Sequence, residues 1–174
     1  MAAGAGVAAT VAGAGCGASP LRVKIRGGAR VARGDVELLN DLLDLEYHAI
    51  AAYTAGIPLL DYQEGKAAKQ FLGQELAHAV ELGDLVMHAK GKPGKPRASY
   101  DLGNPRSARD VLLLLHRLES AQLTAYLLKI PLLAPGRVRA AVSAIFANDA
   151  QHVAVIRSQL GRAPAPSPFV TGAE

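Results

Sequence analysis

Glu75-Leu-Ala-His78 and Asp149-Ala-Gln-His152 each set a carboxylate three residues before an imidazole. Three residues is just under one helical turn, so within a helix both side chains of a pair share one face. Carboxylate oxygens together with imidazole nitrogens suit iron or manganese better than an ion that seeks thiolates. Glu46 and Glu119 add two carboxylates that have no histidine at i+3. What makes these six residues a candidate site is the company they keep.

Each lies on an apolar stripe with three- and four-residue steps. On the first segment Leu39, Leu42, Glu46, Ile50, Tyr53 and Ile57 share a face. On the second the stripe is Phe71, Glu75, His78, Leu82 and Leu85. On the third it is Leu112, Leu115, Glu119, Leu123, Tyr126 and Ile130. The fourth reads Val138, Val142, Ile145, Asp149, His152, Ile156 and Leu160. One carboxylate thus sits near the middle of each core-facing stripe. Burying four carboxylates is very costly unless their charge is matched. Two imidazoles cannot match them, and no Lys or Arg lies on the four stripes. Two divalent cations would supply the missing charge. The bland alternative is a bundle whose buried polar groups satisfy one another, or a site that has lost its metal.

Four helices must position these residues, over about 36–56, 66–89, 107–130 and 137–160. Asp35 is the expected N-cap of the first, and Pro58, Pro131 and Gly161 follow the first, third and fourth. The connections "PLLDYQEG" and "PLLAPG" are short, whereas "KGKPGKPRASYDLGNP" is long. Short, long, short is the pattern of two helical hairpins joined by one crossover. A repeat agrees with it. "AYTAGIPLL" (52–60) and "AYLLKIPLL" (125–133) align at an offset of 73 residues, which also pairs Glu46 with Glu119. At an offset of 74, Glu75 and His78 meet Asp149 and His152.

At these residues the chain resembles the ferritin-like di-iron carboxylate family, which includes rubrerythrins and bacterioferritins. The family pattern is Glu, Glu-x-x-His, Glu, Glu-x-x-His on successive helices. Here it reads Glu46; Glu75-x-x-His78; Glu119; Asp149-x-x-His152, within about residues 36–160. The resemblance implies an all-α, antiparallel four-helix bundle with a long crossover between helices 2 and 3. It implies two metal ions, iron or alternatively manganese. Glu46 and His78 would serve one and Glu119 and His152 the other, with Glu75 and Asp149 between them. Asp149 departs from the family's Glu by one methylene, which implies weaker coordination beside Glu119 and His152. The implied chemistry is oxidation by dioxygen or peroxide, of ferroxidase or peroxidase type. The substrate would be Fe2+, a peroxide or an organic molecule. A rubrerythrin with a built-in electron supply is not expected, because no Cys-x-x-Cys is present. The rival reading is a non-catalytic, exported stress or structural bundle with a structural or vestigial metal site.

The remaining features are less specific. The net charge is +4, but five basic residues between Arg22 and Arg33 exceed it alone. They and the second cluster, Lys90, Lys92, Lys95 and Arg97, read as solvated linkers rather than a nucleic-acid surface, since neither contains stacking aromatics. Half of the residues are hydrophobic, yet no run is long and uncharged enough to span a bilayer within the bundle. Residues 1–34 read as a low-complexity leader and basic tether, either an export signal or simply disordered. Cys16, the single cysteine, rules out an intramolecular disulfide and is either a lipid-attachment site or without role. Residues 35–161 form the bundle and 162–174 a Pro-rich disordered tail. Tyr53 and Tyr126 read equally as partners of the site and as core aromatics. Glu81, His48, His88 and His116 read as surface residues.

Pro164, Pro166 and Pro168 block a further helix after the fourth. The expected assembly is therefore a monomer or a small oligomer such as a homodimer, without a hollow shell. Light scattering checks this, and a mass corresponding to a large cage would refute it.

Overall fold

The computed structural model describes residues 34–173. The leader, Cys16 and nearly all of the basic tether lie outside the described residues. Within them, α1 (Asp35–Gly56), α2 (Tyr62–His88), α3 (Ala108–Lys129) and α4 (Arg137–Gln159) form an all-α bundle, with no strand. Tyr53 meets Glu119 and Tyr126 meets Glu46, so α1 and α3 run antiparallel. His152 meets Gln74 and His78 meets Asp149, so α2 and α4 do as well. The direction of travel is up, down, down, up, as one long crossover requires.

Helix ends follow local chemistry. Pro58 and Pro131 each open a 3₁₀ turn, Ile57–Leu59 and Ile130–Leu132, that closes the preceding helix. The repeated sequence therefore folds alike in both hairpins. Asp35 is not the N-cap expected for α1; Gly34 occupies that position. Instead the buried Asp35 carboxylate accepts the Ala134 N–H at 2.9 Å, fastening the start of α1 to the α3–α4 turn. Helix α2 starts earlier than expected, because Asp61 and Glu64 make a capping box. Asp61 Oδ1 accepts Glu64 N–H at 2.8 Å and Glu64 Oε2 accepts Asp61 N–H at 3.0 Å. Ser107 is the N-cap of α3, accepting from Asp110 N–H.

The crossover, expected as a solvated linker, is a docked strap. Asn40 donates to Lys92 O (3.2 Å) and accepts from Gly94 N–H (2.8 Å). Arg97 Nε donates to Asp44 Oδ1 at 2.9 Å. His48 stacks on Tyr100 with centroids 5.0 Å apart and lies 3.3 Å from Asp101 O, so it is not the free surface residue expected. Gly91 passes so close to α1 that a Cβ there would lie 2.6 Å from Val36 Cγ1. The lysines of the cluster stay exposed. Beyond Gly161 the Pro-rich segment has no helix. Its Ala163 carbonyl accepts from Arg157 Nε at 2.7 Å, and Gly172, at φ +81°, rests against Ser120 and Thr124 of α3.

The core has two apolar layers. One gathers Leu39, Leu42, Leu82, Leu85, Val138 and Val142; the other gathers Ala52, Phe71, Val111, Leu115, Ile156 and Leu160. Along every helix the candidate site residues fall between the two. No helix of the described residues is long and apolar enough to cross a membrane.

Asp61→Ala removes the cap's side-chain acceptor and lowers stability by about 1 kcal/mol. Urea denaturation should show an earlier midpoint at an unchanged m-value. Arg97→Ala, which breaks an exposed ion pair, should move the midpoint less.

Candidate metal centre

Each helix brings its carboxylate to the middle layer because the apolar residues on both sides of it are buried. Glu46, Glu75, Glu119, Asp149 and His152 are fully buried, while His78 keeps 9% of its surface exposed. The structure brings all six together. Glu75, Glu119, Asp149 and His152 offer ligand atoms within 4.8 Å of one another, and so do Glu46, Glu75 and His78. Glu75 belongs to both groups. His78 Nδ1 lies 3.4 Å from Glu46 Oε2, 3.5 Å from Glu75 Oε1 and 3.3 Å from Asp149 Oδ1. His152 Nδ1 lies 3.1 Å from Glu75 Oε1, 3.3 Å from Glu119 Oε1 and 3.9 Å from Asp149 Oδ1.

The supporting shell crosses from one hairpin to the other. Tyr53 on α1 donates its hydroxyl to Glu119 Oε1 on α3 at 2.5 Å. Tyr126 on α3 does the same to Glu46 Oε1 on α1. Both tyrosines are buried, and both are partners of the site as well as core aromatics. Gln122 Nε2 donates to Glu75 Oε2 at 3.1 Å, and His152 Nε2 lies 2.7 Å from Gln74 Oε1. An Nε2–H given to that amide oxygen turns the Nδ1 edge toward the carboxylates. Phe71 stacks on the His152 ring with centroids 4.2 Å apart.

The two glutamines were missed by sequence reasoning. Gln122 left a signal: it follows Glu119 by three residues, the spacing of the Glu-x-x-His pairs. Gln74 is half-buried beside the stripe and left none. Glu81 and His88 lie outside the cluster, and His116 is half-buried beside Arg157.

Among the described residues, seven buried side-chain atoms of the cluster make no hydrogen bond, with polar neighbours at ion-pair distance only inside the cluster. They are Glu46 Oε2, Glu75 Oε1, His78 Nδ1, Glu119 Oε2, both Asp149 oxygens and His152 Nδ1. Buried polar atoms are rarely left so. All seven are acceptors or lone-pair donors once deprotonated, which is the donor set of a divalent cation. The residues therefore fit a metal centre.

Residues 34–162 match the ferritin-like domain family. The chain belongs to that family. A conserved hypothetical protein, rv2844, from Mycobacterium tuberculosis shares the ferritin-like fold at TM-score 0.70 and 20% identity. The match covers 79% of this chain and 99% of that one, and likeness at this identity is of fold alone. No curated protein matches the chain.

Without metal, the ferritin-like site must hold protons. Burial, aided by the charge on Glu75, pushes Glu46 up to about 8. Burial first and neighbouring carboxylates second raise Glu119 and Asp149 too. Burial lowers both imidazoles, but the carboxylates outweigh it and lift His78 to about 10 and His152 to about 9. Glu75 moves the other way: burial raises it, yet the two histidines together hold it below the usual carboxylate range.

In an unfolded chain these groups titrate near 4.5 for Glu and 6.5 for His. The folded, metal-free protein therefore binds more protons than the unfolded chain from about pH 5 to about pH 10, and its stability falls as pH rises through that window. The opposite shift of Glu75 acts only at acid pH. The thermal midpoint of the metal-free protein should drop by several degrees between about pH 6 and pH 9. Bound metal displaces these protons, so a divalent cation should flatten or reverse the slope and release protons into weak buffer. A metal-free midpoint that rises over this range would contradict the proton inventory.

Proposed function

We propose that this ferritin-like protein holds two divalent metal ions, iron in the first place and manganese in the second, and oxidises Fe(II) with dioxygen or a peroxide. The observation that carries the proposal is the convergence, from all four helices, of seven buried ligand atoms that make no hydrogen bond. Bound iron would supply electrons to the oxidant. The chain's own residues do the rest.

In this reading Glu46 and His78 hold one ion, Glu119 and His152 the other, and Glu75 and Asp149 lie between. Asp149 Oδ1 is 3.3 Å from one imidazole Nδ1 and 3.9 Å from the other, which supports an intermediate place despite the shorter side chain. Tyr126 occupies Glu46 Oε1 and leaves Oε2 beside His78, whereas Tyr53 donates to Glu119 Oε1, the same oxygen that lies beside His152. Burial and the adjacent glutamates raise both phenols well above their usual value, so they remain donors at neutral pH. The apolar layers above and below exclude water from the site. Burial this complete favours an ion or a two-oxygen molecule as substrate over an organic one. Two surface hollows, one beside Lys66 and Lys69 and one beside Leu102 and Arg117, contain no residue of the cluster.

The two positions are unequal, in the sense opposite to that implied by the short Asp149. Asp149 lies beside both imidazoles, but the His152 side chain is sealed whereas 11% of the His78 side chain meets solvent. The His152 ion is therefore the tighter one and the His78 ion exchanges.

Anaerobic titration with Fe(II) should show two binding steps. Glu46→Ala should abolish the weaker, and Asp149→Ala should lower metal content from about two ions to about one without unfolding the bundle. Oxygen uptake on adding Fe(II) in air tests the catalytic half. Uptake no faster than in protein-free buffer, with both ions bound, would leave the metal structural and sink the oxidase reading. Two steps of equal affinity would sink the ranking.

A further inference from the structure

Helix α2 carries a second stripe that the metal centre does not use. Its inner face buries Phe71, Glu75, His78, Leu82 and Leu85. Its outer face, between Gly73 and Val80, exposes only uncharged residues: Gly73, Leu76, Ala77 and Val80. Leu76 is 50% exposed, Val80 60% and, two turns on, Met87 55%. The series Lys69, Gly73, Leu76, Val80, Gly83, Met87 steps by four and three throughout. Three-four spacing sustained along one face is the seam by which two helices pack side by side. A solvated helix face ordinarily carries Lys and Glu at such positions.

Charge says what lies against it. Along the seam the cations Lys66 and Lys69 lie toward the start of α2, and the anions Glu81 and Asp84 toward its end. Among the described residues none of the four is in an ion pair. A second α2 laid parallel would set Lys beside Lys and Asp beside Asp. Laid antiparallel about a two-fold axis between Leu76 and Ala77, it sets Lys69 opposite Asp84, with Lys66 and Glu81 flanking, twice by symmetry. The same register puts Val80 opposite Gly73. A Cβ built on Gly73 would meet nothing within 4 Å, so the position is an open notch for the valine.

We propose that this face of α2 binds the same face of a second copy of the chain, antiparallel, with Val80 seated over Gly73 and Lys69 paired with Asp84 of the second copy. The contact is one helix pair, about 20–25 Å of seam at 1.5 Å per residue. Interfaces of that size sit at the small, reversible end of the range. The dimer is independent of metal.

Sedimentation of the full chain from low micromolar to several hundred micromolar tests this. A concentration-dependent monomer–dimer equilibrium is expected. Val80→Glu should weaken it by about tenfold or more, which is a large change for one residue. Lys69→Asp and Asp84→Lys should each weaken it by about fivefold, since each turns two attractions into repulsions. Combined in one chain, they should restore the dimer to near wild-type affinity. All these positions are on the outside of the helix, and circular dichroism confirms that the variants are folded. A wild type that stays monomeric throughout overturns the proposal and leaves the stripe to another occupant. So does a dimer indifferent to Val80→Glu, or a double swap weaker than either single change.

Discussion

Four carboxylates in a dry layer at the middle of a bundle are the constraint on which the rest of the molecule turns. Each would spend several kcal/mol on leaving water as an anion, and among the described residues only the two histidines pair with them. Only two routes keep such a layer stable. Protons can neutralise the carboxylates, the direction in which burial pushes Glu46, Glu119 and Asp149 without metal. Divalent cations can replace those protons. The fold accommodates both because the ligating atoms are held by the helices themselves, between apolar layers that pack whether or not the layer is charged. Any metal affinity of this cluster would therefore be linked to pH and to stability.

The internal repeat explains how the layer is braced and where the bracing fails. A tyrosine seven residues after each unpaired glutamate reaches the glutamate of the other hairpin, so the two halves lock each other. Symmetry stops at the histidines. Gln74 on α2 braces His152 through its amide oxygen. The residue equivalent to Gln74 in the second half is Asn148, half-buried and one methylene shorter. Among the described residues no amide braces His78 as Gln74 braces His152. His152 is sealed and His78 reaches the surface. An asparagine in place of a glutamine thus accompanies the step that gives a nearly symmetric bundle a front and a back.

The sequence carried most of this because helical periodicity and buried charge are strong local signals. Every residue of the α2 and α4 stripes is buried as its spacing requires. What it did not carry has physical reasons. The start of α2 was missed because Asp61 and Glu64 lie in a stretch that reads as a connection, and a capping box outweighs that impression only once the helix is seen to continue through it. Asp35 looked like a cap because it precedes the first stripe, but its partner, Ala134, is 99 residues away. The strap could not be seen as docked, because hydrogen bonds between the side chains of Asn40, Tyr47 and His48 and backbone carbonyls leave no periodic trace. The methylene that Asp149 lacks is legible in the sequence, whereas the unequal exposure of the two imidazoles is not.

The strap and the exposed edge of His78 bear on the same question of how the buried cluster meets solvent. The strap covers α1 along Asn40, Asp44, Tyr47 and His48, the stretch of helix that carries Glu46 on its inner side. The segment after Gly161 lies against α3 at Ser120 and Thr124, over the stretch that carries Glu119 and Gln122. Irregular chain thus shields the two helices that supply the unpaired glutamates. Both segments also touch the other two helices: Pro93 of the strap lies 4.0 Å from a Cβ built at Gly83 of α2, and the Ala163 carbonyl accepts from Arg157 of α4. Of the six cluster residues, His78 alone keeps exposed surface. An ion or small molecule that reached the cluster would meet that imidazole first, because the other five residues have no exposed surface.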